Sequence, residues 1–261
     1  MALWIRFDHL GSAGFGTLEG GEVHVHQGDL FDAPRPTGER LPLAAVRLLT
    51  PCRPTKIVGL VNNYRAAAEK AGTPIPAEPL WFLKPPSSFL APGEAIRLPG
   101  PDVGKVIYEG ELGIVIGREA RGVSEADADR FVLGYTCVND VTALDLISRD
   151  PQYAQWSRAK SLDTFGPFGP AVATGLDPAK LTVRVLLKGK VRQEYPVSDA
   201  IFPPRALVSL VSRELTLVPG DVIACGTSLG IGVLRPGATV EVAIDGIGTL
   251  SNPVIGPEAA A

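Results

Sequence analysis

Histidine is nearly missing from this sequence. Its three copies, His9, His24 and His26, fall within the first 26 residues, and none occurs in the remaining 235 of 261. Acid–base chemistry in the main body must therefore come from carboxylates, lysines, tyrosines or metal-bound water. A Ser-His or Cys-His nucleophile pair would need a histidine lent by the N-terminal segment. His24 and His26 flank Val25 in a strand-like run and read as solvent-facing. Cysteine is as scarce. Cys52, Cys137 and Cys225 are odd in number and widely scattered, which argues against a disulfide framework or a zinc site and for three small core residues.

Long apolar runs are also missing, and no stretch approaches the ~18 residues that span a bilayer. The opening MALWIRFDHLG interrupts its apolar residues with polar ones, unlike a signal peptide, so a cytoplasmic location is expected. Neither sign of charge dominates. With 25 basic and 28 acidic residues the net charge is −3, which gives no reason to expect nucleic acid or an anionic membrane as partner.

Glycine and proline, by contrast, are plentiful, at 29 and 24 residues without any repeat period. They punctuate many short segments, which predicts a fold dominated by β structure. The length allows one large core with a small appendage. WIRFDH, GFGTLEG and EVHVHQG are short strands of a small N-terminal β unit, and PRPTGERLPLAAV reads as a proline-rich connector. The boundary is set near residue 52, giving domains 1–52 and 53–261. Beyond it, KIVGLV and LWFLK read as strands, and YRAAAEKAG as a short helix closed by Gly72. SEADADR reads as a Ser-capped helix start, DVTALDLISRD as helical and KSLDTFGPFGP as a shaped loop. LTVRVLLKG with KVRQEYPV forms a hairpin, and PPRALVSLVSREL an amphipathic helix.

The stretch YEGELGIVIG, residues 108–117, is the most informative. It reads as one buried strand, yet it carries Glu109 and Glu111, whose spacing of two points both to the same face. Burying two like charges without a partner costs several kcal/mol, and a cation is the simplest remedy. Asp140 ends another strand-like run, FVLGYTCVND. Three carboxylates without Cys or His suit a hard divalent ion: Mg²⁺, Mn²⁺ or Ca²⁺. The competing reading is the wet face of an edge strand.

In order along the chain, VGLVNNY at 58–64, WFLKP at 81–85, YEGELGIVIG, GYTCVNDVTALD at 134–145 and KSLDTFGPFGP at 160–170 resemble the fumarylacetoacetate hydrolase family. The closing PGDVIACGTSLGIG and IDGIGTLSNPV agree. The first 50 residues resemble the N-terminal unit of bacterial members described as 2-hydroxyhepta-2,4-diene-1,7-dioate isomerases or related decarboxylases of homoprotocatechuate breakdown. The resemblance implies an α+β, mainly β fold, a sandwich-and-roll body with a small N-terminal β domain, and a homodimer. It implies Mg²⁺ or Mn²⁺ held by Glu109, Glu111 and Asp140, with a small 2-oxo or 2-hydroxy dicarboxylate as substrate. Lys160 matches a family lysine that faces the substrate, and Tyr64, Arg65, Asp163 and Thr227 are expected to contact it.

The sequence departs from the family pattern at four positions. Hydrolytic relatives place a histidine three residues after the tyrosine of the N-Y motif, paired with a glutamate one turn on. Here those positions are Ala67 and Lys70, with Glu69 close by but lacking a histidine partner. The motif after Asp140 carries Leu144 and Ile147 where the family has Arg and Gln. Losing general-base help typically costs ~10²–10⁴-fold, so isomerisation or decarboxylation is favoured over hydrolysis. Glu69, Lys84 or Lys160 is the expected acid–base group. The alternatives are an acylpyruvate-type hydrolase using Glu69, and a catalytically silent metal-binding relative.

Overall fold

The computed structural model describes residues 1–257. A long mixed sheet forms its backbone. In spatial order its strands are Asp32–Pro42, Glu22–Asp29, Ser12–Glu19, Leu3–His9, Gly166–Ala173, Val132–Asn139, Gly110–Ile116, Val222–Ala224, Ile57–Val61 and Leu80–Lys84. Short strands Arg47–Leu48 and Phe89–Leu90 attach to Leu3–His9 and Gly166–Ala173. A five-stranded sheet runs Lys190–Pro196, Thr182–Leu187, Thr239–Ile244, Gly248–Ile255 and Ile96–Arg97. A three-stranded sheet joins Thr142–Ala143, Val106–Tyr108 and Gly232–Val233. The expected mainly β architecture is what the chain adopts. No helix among the described residues is long and apolar enough to cross a membrane.

The N-terminal strands are not set apart from this framework. Leu3 and Trp4 pair with Ala173 and Val172 of the central strand. Most of the proline-rich stretch expected as a connector, its residues 34–42, instead lies in a strand, Asp32–Pro42, at the outer edge of the sheet. Proline is tolerated there because an edge strand leaves one row of N–H groups without ladder partners. His26 is half-buried, its ring edge-on to Trp4 at 4.8 Å, rather than simply solvent-facing.

Two further expectations are corrected. KSLDTFGPFGP is a loop only at its start, since Gly166–Ala173 is an internal strand with partners on both sides and with Phe168 and Val172 in the core. DVTALDLISRD holds only a four-residue helix, Leu144–Ile147, because Thr142 and Ala143 are drawn into a short strand against Val106 and Ile107. The SEADADR segment is capped as expected, Ser124 Oγ accepting from Asp127 N, but the turn is 3₁₀ rather than α. Helix Arg65–Ala71 ends at Gly72 in the left-handed region, and helix Pro204–Glu214 buries Leu207, Val208 and Val211. All three cysteines are buried and free.

Candidate metal and substrate site

The strand expected over 108–117 breaks at Glu109. Val106–Tyr108 belongs to the three-stranded sheet and Gly110–Ile116 to the long one, so Glu109 sits at the step between them. The two glutamates therefore do not share the face of one unbroken strand, and cross-strand register is what places Asp140 beside Glu109. Gly110 pairs with Asn139, which sets Asp140 across from Glu109, and Asp140 N donates to Glu109 O at 2.8 Å. Asn139 Oδ1 accepts from Glu109 N at 3.1 Å and secures the step. Gly110 must be glycine, because a Cβ there would overlap Val185 of the overlying five-stranded sheet.

Carboxylate oxygens of Glu109, Glu111 and Asp140 lie within 4.8 Å of one another. Glu111 and Asp140 are fully buried, while the Glu109 side chain keeps 14 % of its exposure. Two lysines answer part of this charge. Lys160 Nζ lies 2.6 Å from Glu109 Oε2 and 2.5 Å from Asp140 Oδ2. Lys84 Nζ donates to Asp140 Oδ1 at 2.6 Å, to Val141 O at 3.3 Å and to Lys160 O. The aromatic face of Phe82 lies 4.8 Å from Lys160 Nζ, and Phe82 stacks on Trp156.

Glu111 receives far less. Its Oε2 accepts from Gly226 N at 2.8 Å, and its Oε1 is buried without any partner. Burial, reinforced by the negative charges of Asp140 and Glu109, pushes the Glu111 carboxyl well above the ordinary carboxylate range. Burial also raises Glu109, against the pull of Lys160. At Asp140 burial acts in the same direction, but Lys160 and Lys84 outweigh it and hold the carboxyl below its usual value. Burial lowers Lys84 despite Asp140. At Lys160 burial is overcome by Asp140 and Glu109, so the ammonium is held more firmly than usual.

These residues fit a hard divalent ion. An all-oxygen donor set from three converging carboxylates is the chemistry such ions select. The unpartnered Glu111 Oε1 is the group such an ion would satisfy, since a buried unpaired carboxylate oxygen is otherwise costly.

The remaining expected site residues divide. Tyr64 is fully buried, packed edge-on to Tyr195 at 4.7 Å, and its hydroxyl has no hydrogen-bond partner. Thr227 Oγ donates to Gly110 O at 3.0 Å, which brings it to the same step in the chain. Lys84 is present but sealed, its three N–H groups all engaged. Arg65 and Glu69 are exposed on the helix Arg65–Ala71, and Asp163 is exposed in the loop before Gly166–Ala173; none of these three hydrogen-bonds to the carboxylates or lysines. Ala67 is half-buried, Leu144 is 38 % exposed and Ile147 packs against the core.

Sequence reasoning missed Asn139, Gln193, Tyr195 and Gly226. Gln193 and Tyr195 are the two buried residues of strand Lys190–Pro196, in alternating positions. A glutamine at the inward phase of a strand was the available signal.

Residues 56–255 match the family described as Fumarylacetoacetate (FAA) hydrolase C-terminal, and residues 3–51 match Rv2993c-like, N-terminal. The chain is similar to the crystal structure of 2-hydroxyhepta-2,4-diene-1,7-dioate isomerase from Mycobacterium marinum, with 39 % identity and TM-score 0.91 over 99 % of this chain and 100 % of that one. It is 40 % identical to oxaloacetate tautomerase FAHD1, mitochondrial, of Oryza sativa subsp. japonica, over 74 % of this chain and 86 % of that protein. It is also similar to maleylpyruvate hydrolase from Sphingobium sp. SYK-6 in complex with manganese (II) ion and pyruvate, at 27 % identity and TM-score 0.79, covering 99 % and 100 %.

Proposed function

The chain belongs to the fumarylacetoacetate hydrolase family, and from that premise we propose that it is a divalent-metal-dependent isomerase of a small unsaturated 2-oxo or 2-hydroxy dicarboxylate. The observation that carries the reading is the carboxylate trio with its unpartnered Glu111 oxygen beside a lysine that retains a free N–H. Glu109, Glu111 and Asp140 would hold Mg²⁺ or Mn²⁺. Bound there, the ion would supply Lewis acidity toward the oxygens of a 2-oxo acid.

The chain's own residues divide the remaining work. Lys160 keeps its proton firmly and has one N–H left after bonding Glu109 and Asp140, so it offers a fixed positive charge to a substrate carboxylate or to a developing enolate oxygen. Lys84 holds Asp140 and the end of helix Trp156–Lys160 from behind and has no donor free for substrate. Tyr64, with its free hydroxyl, is the buried group suited to contact substrate or hold a proton near it.

Isomerisation fits this set better than hydrolysis. Cleaving a carbon–carbon bond with water needs a general base for that water. None of the three histidines hydrogen-bonds to the carboxylates or lysines, and Glu69 is exposed on its helix. Enol–keto interconversion needs only charge stabilisation and one modest proton carrier. The isomerase and tautomerase names of two of the similar proteins support this choice, and pyruvate with manganese in the third supports a 2-oxo acid as the ligand class.

The test is an ultraviolet assay of enol loss, using 2-hydroxyhepta-2,4-diene-1,7-dioate and oxaloacetate, with and without Mg²⁺ or Mn²⁺, beside Glu109→Ala. Metal-dependent loss of enol absorbance that also needs Glu109 is expected. No rate above the metal-only blank for either compound overturns the reading, and release of two fragments would replace it with hydrolysis.

A further inference from the structure

We propose that Gln193 is a positioning residue of the carboxylate site, although it touches none of the three carboxylates. The inference rests on the functional reading above, because it concerns how that site keeps its shape.

The observation is a missing strand partner. Strands Gly110–Ile116 and Val222–Ala224 pair as Gly113 with Ala224, Ile114 with Ile223 and Val115 with Val222. Continued, that register would set Gly110 opposite Thr227. The ladder stops first, since the chain turns away at Gly226 and uses the Gly226 N–H to donate to Glu111 Oε2 at 2.8 Å. Gly110 lies between the two glutamates and would be left with an unpaired buried N–H, which is costly.

Gln193 takes the place of the absent strand. It comes from strand Lys190–Pro196 in the other sheet and is 1 % exposed. Its Oε1 accepts from Gly110 N at 3.1 Å. Its Nε2 donates to Thr227 Oγ at 3.0 Å, Ser228 O at 3.1 Å and Leu229 O at 3.2 Å. Thr227 Oγ and Tyr195 Oη complete the frame by donating to Gly110 O. One amide thus supplies an acceptor to one chain segment and donors to the other, which neither a carboxylate nor a hydrocarbon can do. It holds the 227–229 loop at a fixed distance from Gly110. That distance sets where Glu109 and Glu111 sit and where the Gly226 N–H points.

The experiment uses the full chain, stripped of metal and titrated with Mn²⁺, with free Mn²⁺ followed by electron paramagnetic resonance and stability by thermal denaturation. Gln193→Met keeps length and volume but removes both halves of the amide. Gln193→Asn keeps the amide and shortens its reach, in case the first variant does not fold. Val183→Ala, a fully buried residue in the neighbouring strand of the same sheet, controls for loss of stability alone.

Both Gln193 variants are expected to weaken Mn²⁺ binding by about 10–100-fold, the usual range for groups that orient metal ligands. Val183→Ala should lower the melting temperature while binding Mn²⁺ as the wild type does. Wild-type binding with unchanged affinity in either folded Gln193 variant overturns the role of Gln193 alone. So does an equal loss of affinity in Val183→Ala, which would make the role one of general stability. A wild-type protein that takes up no Mn²⁺ overturns the functional reading itself, and this role with it.

Discussion

Asp140 and Glu111 are both fully buried carboxylates of one cluster, yet their surroundings are opposite. Asp140 has a lysine on each oxygen, Lys84 on Oδ1 and Lys160 on Oδ2. Glu111 has one backbone N–H on one oxygen and nothing on the other. One side of the site is finished by the protein and the other is left for something else to finish. A fully paired site would hold no place for an ion, and a wholly unpaired one would not fold around three negative charges. The division keeps the fold while leaving one buried carboxylate oxygen without a partner.

The comparison breaks most sharply at Asp140. In Asp140→Asn two buried ammonium groups lose their shared anion, and removing one partner from a buried ion pair costs about 3–5 kcal/mol. For a chain of this size the melting temperature should fall on the order of 10 °C, and metal binding should be lost as well. Glu111→Gln is expected to behave differently. In chelator its melting temperature should match or exceed that of wild type, because a buried charge without a cation has been removed. The Mn²⁺-induced stabilisation, about 2.7 kcal/mol at a hundredfold excess over Kd, should disappear. Denaturation scans with chelator and with Mn²⁺ check both, and a strongly destabilised metal-free Glu111→Gln would sink the idea that the site is deliberately incomplete there.

The same asymmetry has a sign in pH. Asp140 is held below its usual value, so its contribution to stability is present above the unfolded carboxylate pKa and is lost as pH falls through the folded one. Glu111 is held above its usual value, so its contribution is present below the unfolded pKa and is lost as pH rises through the folded one. In chelator, Glu111→Gln should therefore flatten the decline in melting temperature on raising pH. Asp140→Asn should flatten the decline on acidification. An identical pH profile for wild type and Glu111→Gln would show that Glu111 is not buried as a strained charge.

How much of this was legible in the sequence depended on range. Glu109 and Glu111 stood out because two charges interrupt a run of apolar, β-branched residues, which is a local anomaly. Asp140 stood out as the polar end of such a run. The break at Glu109 was not legible, because the turn from one sheet into the next depends on Asn139 and Val185, distant in sequence. Gln193 was invisible for the same reason, since its partner at Gly110 lies 83 residues away. The proline-rich stretch 34–46 reads as a connector because proline usually ends strands, and only the place of strand Asp32–Pro42 at the sheet edge reverses that for residues 34–42. Composition predicted β structure well, since glycine and proline punctuation is local, but it could not say which strands share a sheet.

A smaller effect sharpens the comparison on the Glu111 side. The Tyr64 hydroxyl is buried without a partner, and the neighbouring Tyr195 hydroxyl is committed to the carbonyls of Gly110 and Gly226. Tyr64→Phe removes a group that the folded protein does not satisfy, so stability should change by less than about 1 kcal/mol. If that hydroxyl serves the substrate, turnover should fall about 10²-fold or more with metal affinity unchanged. Paired measurements of kcat and Mn²⁺ Kd separate the two roles, and unchanged turnover would assign Tyr64 to packing.

The smallest expected effect lies outside the buried cluster, at Glu69. This residue is exposed on helix Arg65–Ala71, where the hydrolytic pattern would need a water-activating pair, and the histidine position of that pair is Ala67. An exposed carboxylate without a histidine partner has nothing beside it to orient a water molecule, and enol–keto interconversion does not ask for one. Glu69→Ala should therefore change isomerisation by less than about threefold, against the ~10²–10⁴-fold expected for loss of a general base. The measurement is kcat/KM for enol loss, with product analysis alongside. A loss of two or more orders of magnitude would mean that the helix closes over the carboxylates during turnover and brings Glu69 with it. The active site would then span the buried cluster and the exposed helix, and hydrolysis would regain the standing that the missing histidine took from it.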